Sequence, residues 1–98
     1  MTFIASQAQH YAWLAEDEPD VFEHLAVAVS DGAIEPTGAM WGEPDMHCLG
    51  AESFVRQVLH GCGYWREVFP SLPDQRVLIL PDTFGFGATI PTLMRHCG

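Results

Sequence analysis

The run of residues from Val77 to Pro91, VLILPDTFGFGATIP, constrains the fold of this chain more than any other segment. Its four aliphatic residues, Val77–Leu80, predict a short buried strand that the next residue, a proline, ends. Asp82 then lies at the carboxyl end of that strand, and two glycines allow a tight turn into a helix predicted over Ala88–His96. α/β enzymes place catalytic groups in this geometry, although an acid in a loop can also serve only to form the turn. The segment therefore predicts an α/β fold, with Asp82 either catalytic or a turn former.

Two further strand-then-helix units precede this segment. Apolar residues spaced three and four apart predict the helices, and short apolar runs predict the strands. Ser6 has the side chain of a helix N-cap, whereas Gly32 suits the position just after a helix end. In chain order we expect a strand at Thr2–Ala5, a helix from Ser6 to about Glu16, a helix from Pro19 to Asp31, a strand at Ile34–Gly38, a loop at Ala39–Gly50 and a long helix at Ala51–Phe69, either continuous or broken at Gly61 and Gly63.

The order of these elements predicts the fold class. Strands that alternate with helices predict a parallel sheet, and 98 residues suffice for one domain. Three strands are too few to close a barrel or to cover both faces of an open sheet. We therefore expect an α/β fold that is one piece of a larger parallel structure.

The composition excludes several classes of partner. Thirteen acidic residues against four basic residues give a formal charge of −9, which argues against nucleic acid. The sequence has neither a leader peptide nor an apolar run of membrane-spanning length, so we expect a cytoplasmic protein with no membrane partner. The three cysteines are odd in number and form no C-x-x-C pair, which favours reduced thiols. Adjacent His and Cys residues, as at 47–48 and 96–97, are poorly suited to a tetrahedral zinc site.

Four segments of the chain match a series of known motifs in the same order. They are SQAQHYAWLAEDEPDVFEHL, IEPTGAMWGEPD, AESFVRQVLHGCGYWREVF and LPDTFGFGATIPTLMRHCG. Through these segments nearly the whole chain, Phe3–Gly98, resembles the N-terminal catalytic domain of glycoside hydrolase family 38, the α-mannosidases. Two of the family's motifs read WEPVGGMWVEPD and LPD.FG. The resemblance implies that residues 1–98 are a fragment of that domain, a partial parallel (β/α) barrel with about three βα units of a seven-stranded barrel.

The resemblance also implies an activity, which is the retaining, zinc-dependent hydrolysis of α-mannosidic bonds in mannose-containing glycans. Asp82 corresponds to the family's aspartate that is both the catalytic nucleophile and a zinc ligand. A retaining glycosidase needs a carboxylate close enough to attack the anomeric carbon, about 5–5.5 Å from its acid partner. A metal ion can hold that carboxylate and bind sugar hydroxyls at the same time.

Three further residues acquire expected roles from the same motifs. Phe84 corresponds to an aromatic residue that lines the sugar subsite, and packing within the protein is the alternative role for its ring. Trp41 and Asp45 match the MWVEPD motif and should lie on the same face as Asp82, as substrate-binding residues. For Asp45 the alternative is a carboxylate that only caps a turn.

Other parts of the family's active site have no counterpart in this chain. The resemblance places a His-x-Asp pair before Met1, and a further zinc-binding histidine and the general acid after Gly98. Because a catalytic zinc usually has three protein ligands, we expect the isolated chain to bind no zinc and to be inactive. The alternative function is a non-catalytic interaction module, a barrel remnant that self-associates through its open sheet edges.

Overall fold

Four helices and a two-stranded parallel sheet make up the computed structural model, which describes residues 1–97. The elements are β1 (Phe3–Ala5), α1 (Ala8–Asp17), α2 (Pro19–Ser30), β2 (Ile34–Pro36), α3 (Ala51–Val68) and α4 (Ile90–Cys97). The prediction of a mixed α/β fold with parallel strands is confirmed. None of the helices within residues 1–97 is both long enough and apolar enough to cross a membrane.

The sheet joins the first two predicted strands. β1 and β2 run parallel, with Phe3 opposite Ile34 and Ala5 opposite Pro36, and α1 and α2 form the connection between them. β2 is two residues shorter than predicted. Its extended course stops before Gly38, which adopts a positive φ of 83° that is open to glycine but strained for other residues.

The third predicted strand, Val77–Leu80, is not formed within the described residues. A single backbone hydrogen bond joins this segment to the chain beyond β2, from the Ala39 N–H to the Val77 carbonyl at 3.1 Å. A strand needs a partner that remains extended, and the chain beside it has already turned at Gly38. The prediction of a third strand is therefore wrong for this structure, although the segment does lie beside the end of β2.

The helix ends show one wrong and one confirmed prediction. Ser6 does not cap α1, because Gln7 occupies the N-cap position and the Ser6 hydroxyl donates instead to Glu43 Oε1 at 3.1 Å.

Gly32 does end α2, with a positive φ of 72°. Its N–H donates to the Val29 carbonyl and the next N–H donates to the Ala28 carbonyl, the pair of bonds of a Schellman motif.

α3 runs unbroken through both of its glycines and contacts two separate clusters of buried residues. Its N-terminal half contributes Phe54 and Val58 to the first cluster, whereas its C-terminal half contributes Trp65 to the second. The first cluster consists of Ala39, Met40, Met46, Phe54, Val58 and Ile90. The second consists of Ala8, Tyr11, Val29, Trp65 and Phe69. α3 is thus the element against which both the β1–α1–α2–β2 unit and α4 pack.

Candidate functional site

Two loops that are far apart in the sequence line one pocket. Glu43, Pro44 and Asp45 come from the loop between β2 and α3, and Asp82, Thr83 and Phe84 come from the loop before α4. The pocket has a volume of about 250 Å³. The structure therefore brings together three of the four predicted site residues, Asp45, Asp82 and Phe84. Their roles stay predictions, since a shared pocket does not by itself define chemistry.

Asp82 and Phe84 are both open to solvent at this pocket. The Phe84 side chain is 86% exposed, so its ring packs against neither of the two buried clusters. An exposed aromatic ring beside carboxylates has the apolar face that the C–H surface of a sugar can cover. The exposure of Phe84 thus favours a ligand-facing position over an internal packing role.

Asp45 both lines the pocket and caps a turn. Its Oδ1 accepts a hydrogen bond from the backbone N–H of His47 at 2.9 Å. This bond, assisted by hydrogen bonds from Cys48, holds the pKa of Asp45 below its usual value. The carboxyl group is therefore ionised at neutral pH and is suited to accept hydrogen bonds or bind a cation, but not to act as a general acid.

The loop that carries Asp45 is held on α3 by backbone groups. The Trp41 N–H donates to the Gln57 carbonyl and the Gly42 N–H donates to Gln57 Oε1, both at 2.9 Å. From the other side, the Gln9 N–H of α1 donates to the Trp41 carbonyl at 2.9 Å. A Cβ atom on Gly61 would lie only 2.7 Å from the Trp41 nitrogen, so the loop approaches α3 at a distance that only glycine permits.

The fourth predicted residue, Trp41, lies outside this pocket. Its ring meets that of Tyr64 edge to face, with centroids 5.7 Å apart, beside the second buried cluster. Glu43 and Asp45, close to it in the chain, line the pocket, whereas the indole packs beside Tyr64. A substrate-binding role for Trp41 stays a prediction, and the described contacts support a structural role.

A close contact between His47 and Gly85 joins the two loops, and sequence reasoning missed it. A Cβ atom on Gly85 would overlap His47 Nε2 and would lie 3.1 Å from His47 Cδ2, so the imidazole rests on the Gly85 backbone. Gly85 has a φ of 138°, which side-chain-bearing residues rarely adopt. Because these residues are distant in the chain, only the glycine-rich composition of the second loop hinted at such a close approach.

The described residues do not fit a complete zinc site. No group of three or more His, Cys, Asp or Glu side chains within residues 1–97 could hold a metal ion. Glu43, Asp45 and Asp82 all line the pocket, but their carboxylates do not converge as a set of metal ligands, and Glu43 Oε1 accepts a hydrogen bond from the Ser6 hydroxyl at 3.1 Å. The carboxylates of this pocket therefore do not make a catalytic metal centre on their own.

The fold and the pocket together define an α/β protein with a carboxylate-lined loop pocket at one edge of its core. The sequence profile described as "Glycosyl hydrolases family 38 N-terminal domain" matches residues 1–98. The chain belongs to this family, which confirms the resemblance found in its motifs.

Curated relatives support the same assignment. The chain is 38% identical over 96 residues to "Alpha-mannosidase G" of Dictyostelium discoideum, and the match covers 98% of this chain and 9% of that protein. It is 33% identical over 97 residues to "Alpha-mannosidase" of Saccharomyces cerevisiae and 33% identical over 96 residues to "Alpha-mannosidase 2C1" of Mus musculus, with the same two coverages. The chain therefore spans about a tenth of the length of these relatives, 9% in each case.

Proposed function

We propose that this chain supplies the nucleophile-bearing pocket of a retaining α-mannosidase. The observation that carries the proposal is the pocket itself, in which Asp82, Asp45 and Phe84 meet in a chain that belongs to glycosyl hydrolase family 38. Relatives named as α-mannosidases support mannose-containing glycans as the substrate class. The retaining mechanism and the metal dependence are parts of the proposal.

Each pocket residue has a distinct part in the proposed reaction. The Asp82 carboxylate attacks the anomeric carbon as the aglycone leaves, which forms a covalent glycosyl–enzyme ester that water then hydrolyses. The Phe84 ring packs on the sugar's C–H face, and the ionised Asp45 accepts hydrogen bonds from its hydroxyls. The general acid lies outside these residues.

Zinc is proposed only for a longer protein in which further ligands join Asp82. In such a protein the metal would bind sugar hydroxyls beside the nucleophile. By the same reasoning, the 98-residue chain alone is proposed to be inactive and to bind no zinc. We further propose that β1 and β2 are part of a parallel barrel that the longer protein completes, which their parallel pairing supports.

A chimera provides the test. The 98 residues would replace the matched segment of the Dictyostelium relative, and hydrolysis of 4-nitrophenyl α-mannoside would be measured. Asp82→Asn is expected to lower kcat on the order of 10⁴-fold, the scale of losing a catalytic group that acts as part of a unit. Asp31→Asn, a matched substitution at the exposed end of α2, should leave kcat unchanged.

Trapping of the covalent intermediate makes the test specific for the nucleophile. A fluorinated mannosyl fluoride that forms the glycosyl–enzyme ester but hydrolyses slowly should add its sugar mass to the tryptic peptide 77–95, which contains Asp82. A label on any other peptide, or an active Asp82→Asn chimera, would refute the proposed role of Asp82. The isolated 98-residue chain serves as the control for inactivity.

Self-association is a second candidate function, favoured by the exposure of β1. Phe3 and Ile4 are 58% and 66% exposed, and the two-stranded sheet leaves one edge of β1 unpaired within the described residues. An exposed edge with apolar side chains is a template for pairing with another chain. Light scattering should then show a dimer that Ile4→Lys converts to monomer, whereas a monomeric parent chain would exclude this function.

A further inference from the structure

A second pocket, which shares no lining residue with the carboxylate pocket, contains two of the three cysteines. It lies between α3, α4 and the segment 74–78, and its volume is about 150 Å³. Cys62 reaches it from α3, and Cys97 reaches it from the last turn of α4. Both thiols are partly buried, and both pack against the first buried cluster. The α3–α4 packing thus brings together two cysteines that are far apart in the sequence.

The surroundings of Cys62 fix where its sulfur lies. Its Sγ is 3.7 Å from the Ala39 carbonyl oxygen and 3.9 Å from the Gln75 carbonyl oxygen, so it lies between the start of the loop before α3 and the segment after α3. Burial raises the pKa of this thiol, and the guanidinium of Arg66 acts in the opposite direction. A thiol of this kind is mostly protonated at neutral pH and exchanges slowly, but it remains accessible through the pocket.

Cys48 provides a natural contrast. It is exposed, and it lies in the turn that Asp45 caps rather than at the α3–α4 contact. It does not line the Cys62 pocket. An oxidant in solution therefore reaches Cys48 first, whereas only Cys62 and Cys97 share a pocket.

We propose that Cys62 and Cys97 form an intramolecular disulfide when the folded chain meets a small-molecule disulfide. The Cys62 thiolate attacks one sulfur of the oxidant and releases one thiolate, which gives a mixed disulfide. The Cys97 thiolate then attacks the Cys62 sulfur and releases the second thiolate. Two thiols are oxidised and one disulfide is reduced to two thiols, so atoms and electrons balance.

The disulfide would affect the carboxylate pocket indirectly. It closes a loop that contains Asp82 and covalently ties the end of α4 to α3. α4 begins shortly after the loop that carries Asp82 and Phe84, so its position constrains that loop. This inference concerns the α3–α4 contact alone and does not depend on the proposed mannosidase activity.

The test compares disulfide pairing in folded and unfolded chain. The parent protein is incubated with oxidised glutathione at about pH 8.5, because raising the pH speeds an exchange in which the thiolate is the attacking species. One sample is incubated in buffer and one in concentrated urea, and both are then alkylated and digested with trypsin. Cleavage after the four arginines separates the cysteines into peptides 1–56, 57–66 and 96–98, so each pairing has its own mass. Cys48→Ala should retain the proposed pairing and Cys97→Ala should lose it.

Chain statistics give the expected result in urea. Cys48 and Cys62 are 14 positions apart and Cys62 and Cys97 are 35 positions apart. Loop closure probability falls as the 3/2 power of length, so the unfolded chain should favour the Cys48–Cys62 link about fourfold. In buffer the Cys62–Cys97 link should predominate instead, and the oxidised chain should melt on the order of 10 °C higher than the reduced chain. The same distribution in buffer as in urea, or a mixed glutathione disulfide that persists on Cys62 or Cys97, would overturn the proposal.

Discussion

Replacing Gly61 by alanine tests the packing that positions the first carboxylate loop. A Cβ atom there would lie 2.7 Å from the Trp41 nitrogen and would overlap the Ala39 carbonyl oxygen and the Met40 carbonyl carbon. Ordinary contacts of a Cβ atom begin at 3.4 Å, and all three neighbours are backbone atoms that no rotamer change can move. The loop must therefore retreat from α3 by about 1 Å.

The expected change in the free energy of unfolding is the sum of one stabilising and two destabilising contributions. Alanine favours the helix over glycine by about 1 kcal/mol. Overpacking costs about 1–3 kcal/mol, because the displaced segment is backbone. The retreat also stretches the two hydrogen bonds to Gln57, from the Trp41 and Gly42 N–H groups, each contributing about 1 kcal/mol. The net result is a loss of about 2–4 kcal/mol in the free energy of unfolding.

Thermal and urea unfolding of the 98-residue chain, followed by circular dichroism, measures this loss. For a domain of this size it corresponds to a fall in Tm of about 10 °C or more. Gly63→Ala is the matched control, because a Cβ atom at Gly63 meets nothing within 4 Å. It should gain about 0.5–1 kcal/mol from helix propensity alone. If the Gly61→Ala chain is as stable as the parent while the Gly63→Ala chain is stabilised, the inferred close packing of the loop on α3 is wrong. A parent chain without a cooperative transition would also contradict the packed structure on which this prediction depends.

Two other perturbations probe the second buried cluster. Trp65→Phe should lower the free energy of unfolding by about 1–3 kcal/mol, because Trp65 Nε1 donates to the buried Gly38 carbonyl at 2.9 Å and phenylalanine has no donor. Urea unfolding measures this loss, and an unchanged midpoint would contradict it. Burial, assisted by Tyr64, raises the pKa of Tyr11 to about 12 from 10.0, so the contribution of Tyr11 to stability is fully present below pH 10 and is lost as the pH rises toward 12. Tyr11→Phe should weaken that fall, and an equally steep loss in the variant would contradict it.

The local features of the fold could be predicted from the sequence because their causes are local. Pro19 at the start of α2 and Gly32 after its end act through neighbouring residues only. Ser6 was predicted wrongly because its hydroxyl bonds to Glu43, 37 residues away, in place of the helix N-terminus. The strand at Val77–Leu80 failed for a similar reason, since strand formation depends on a partner whose geometry its own residues do not determine.

Three of the four predicted site residues share a pocket, but the contacts that hold the two loops in place were not predicted. The motif resemblance placed Trp41, Asp45 and Asp82 on one face; Asp45 and Asp82 do share a pocket, whereas Trp41 lies outside it. Gly61 was considered only as a possible break in α3, although it instead lets the loop approach the helix. The contact between His47 and Gly85 and the position of the Trp41 ring depend on packing between distant segments, which periodicity and composition do not report.

The relative position of the two carboxylates is therefore set by the α3–α4 contact more than by the sheet. The Asp45 loop rests on α3 through Gln57, and Met46 from this loop is buried in the same cluster as Phe54. The Asp82 loop leads into α4, whose first residue, Ile90, is buried in that cluster as well. With only one hydrogen bond between the 77–80 segment and the chain beyond β2, the sheet contributes little to this alignment. A change that separates α3 from α4 should therefore widen the pocket while leaving both carboxylates intact.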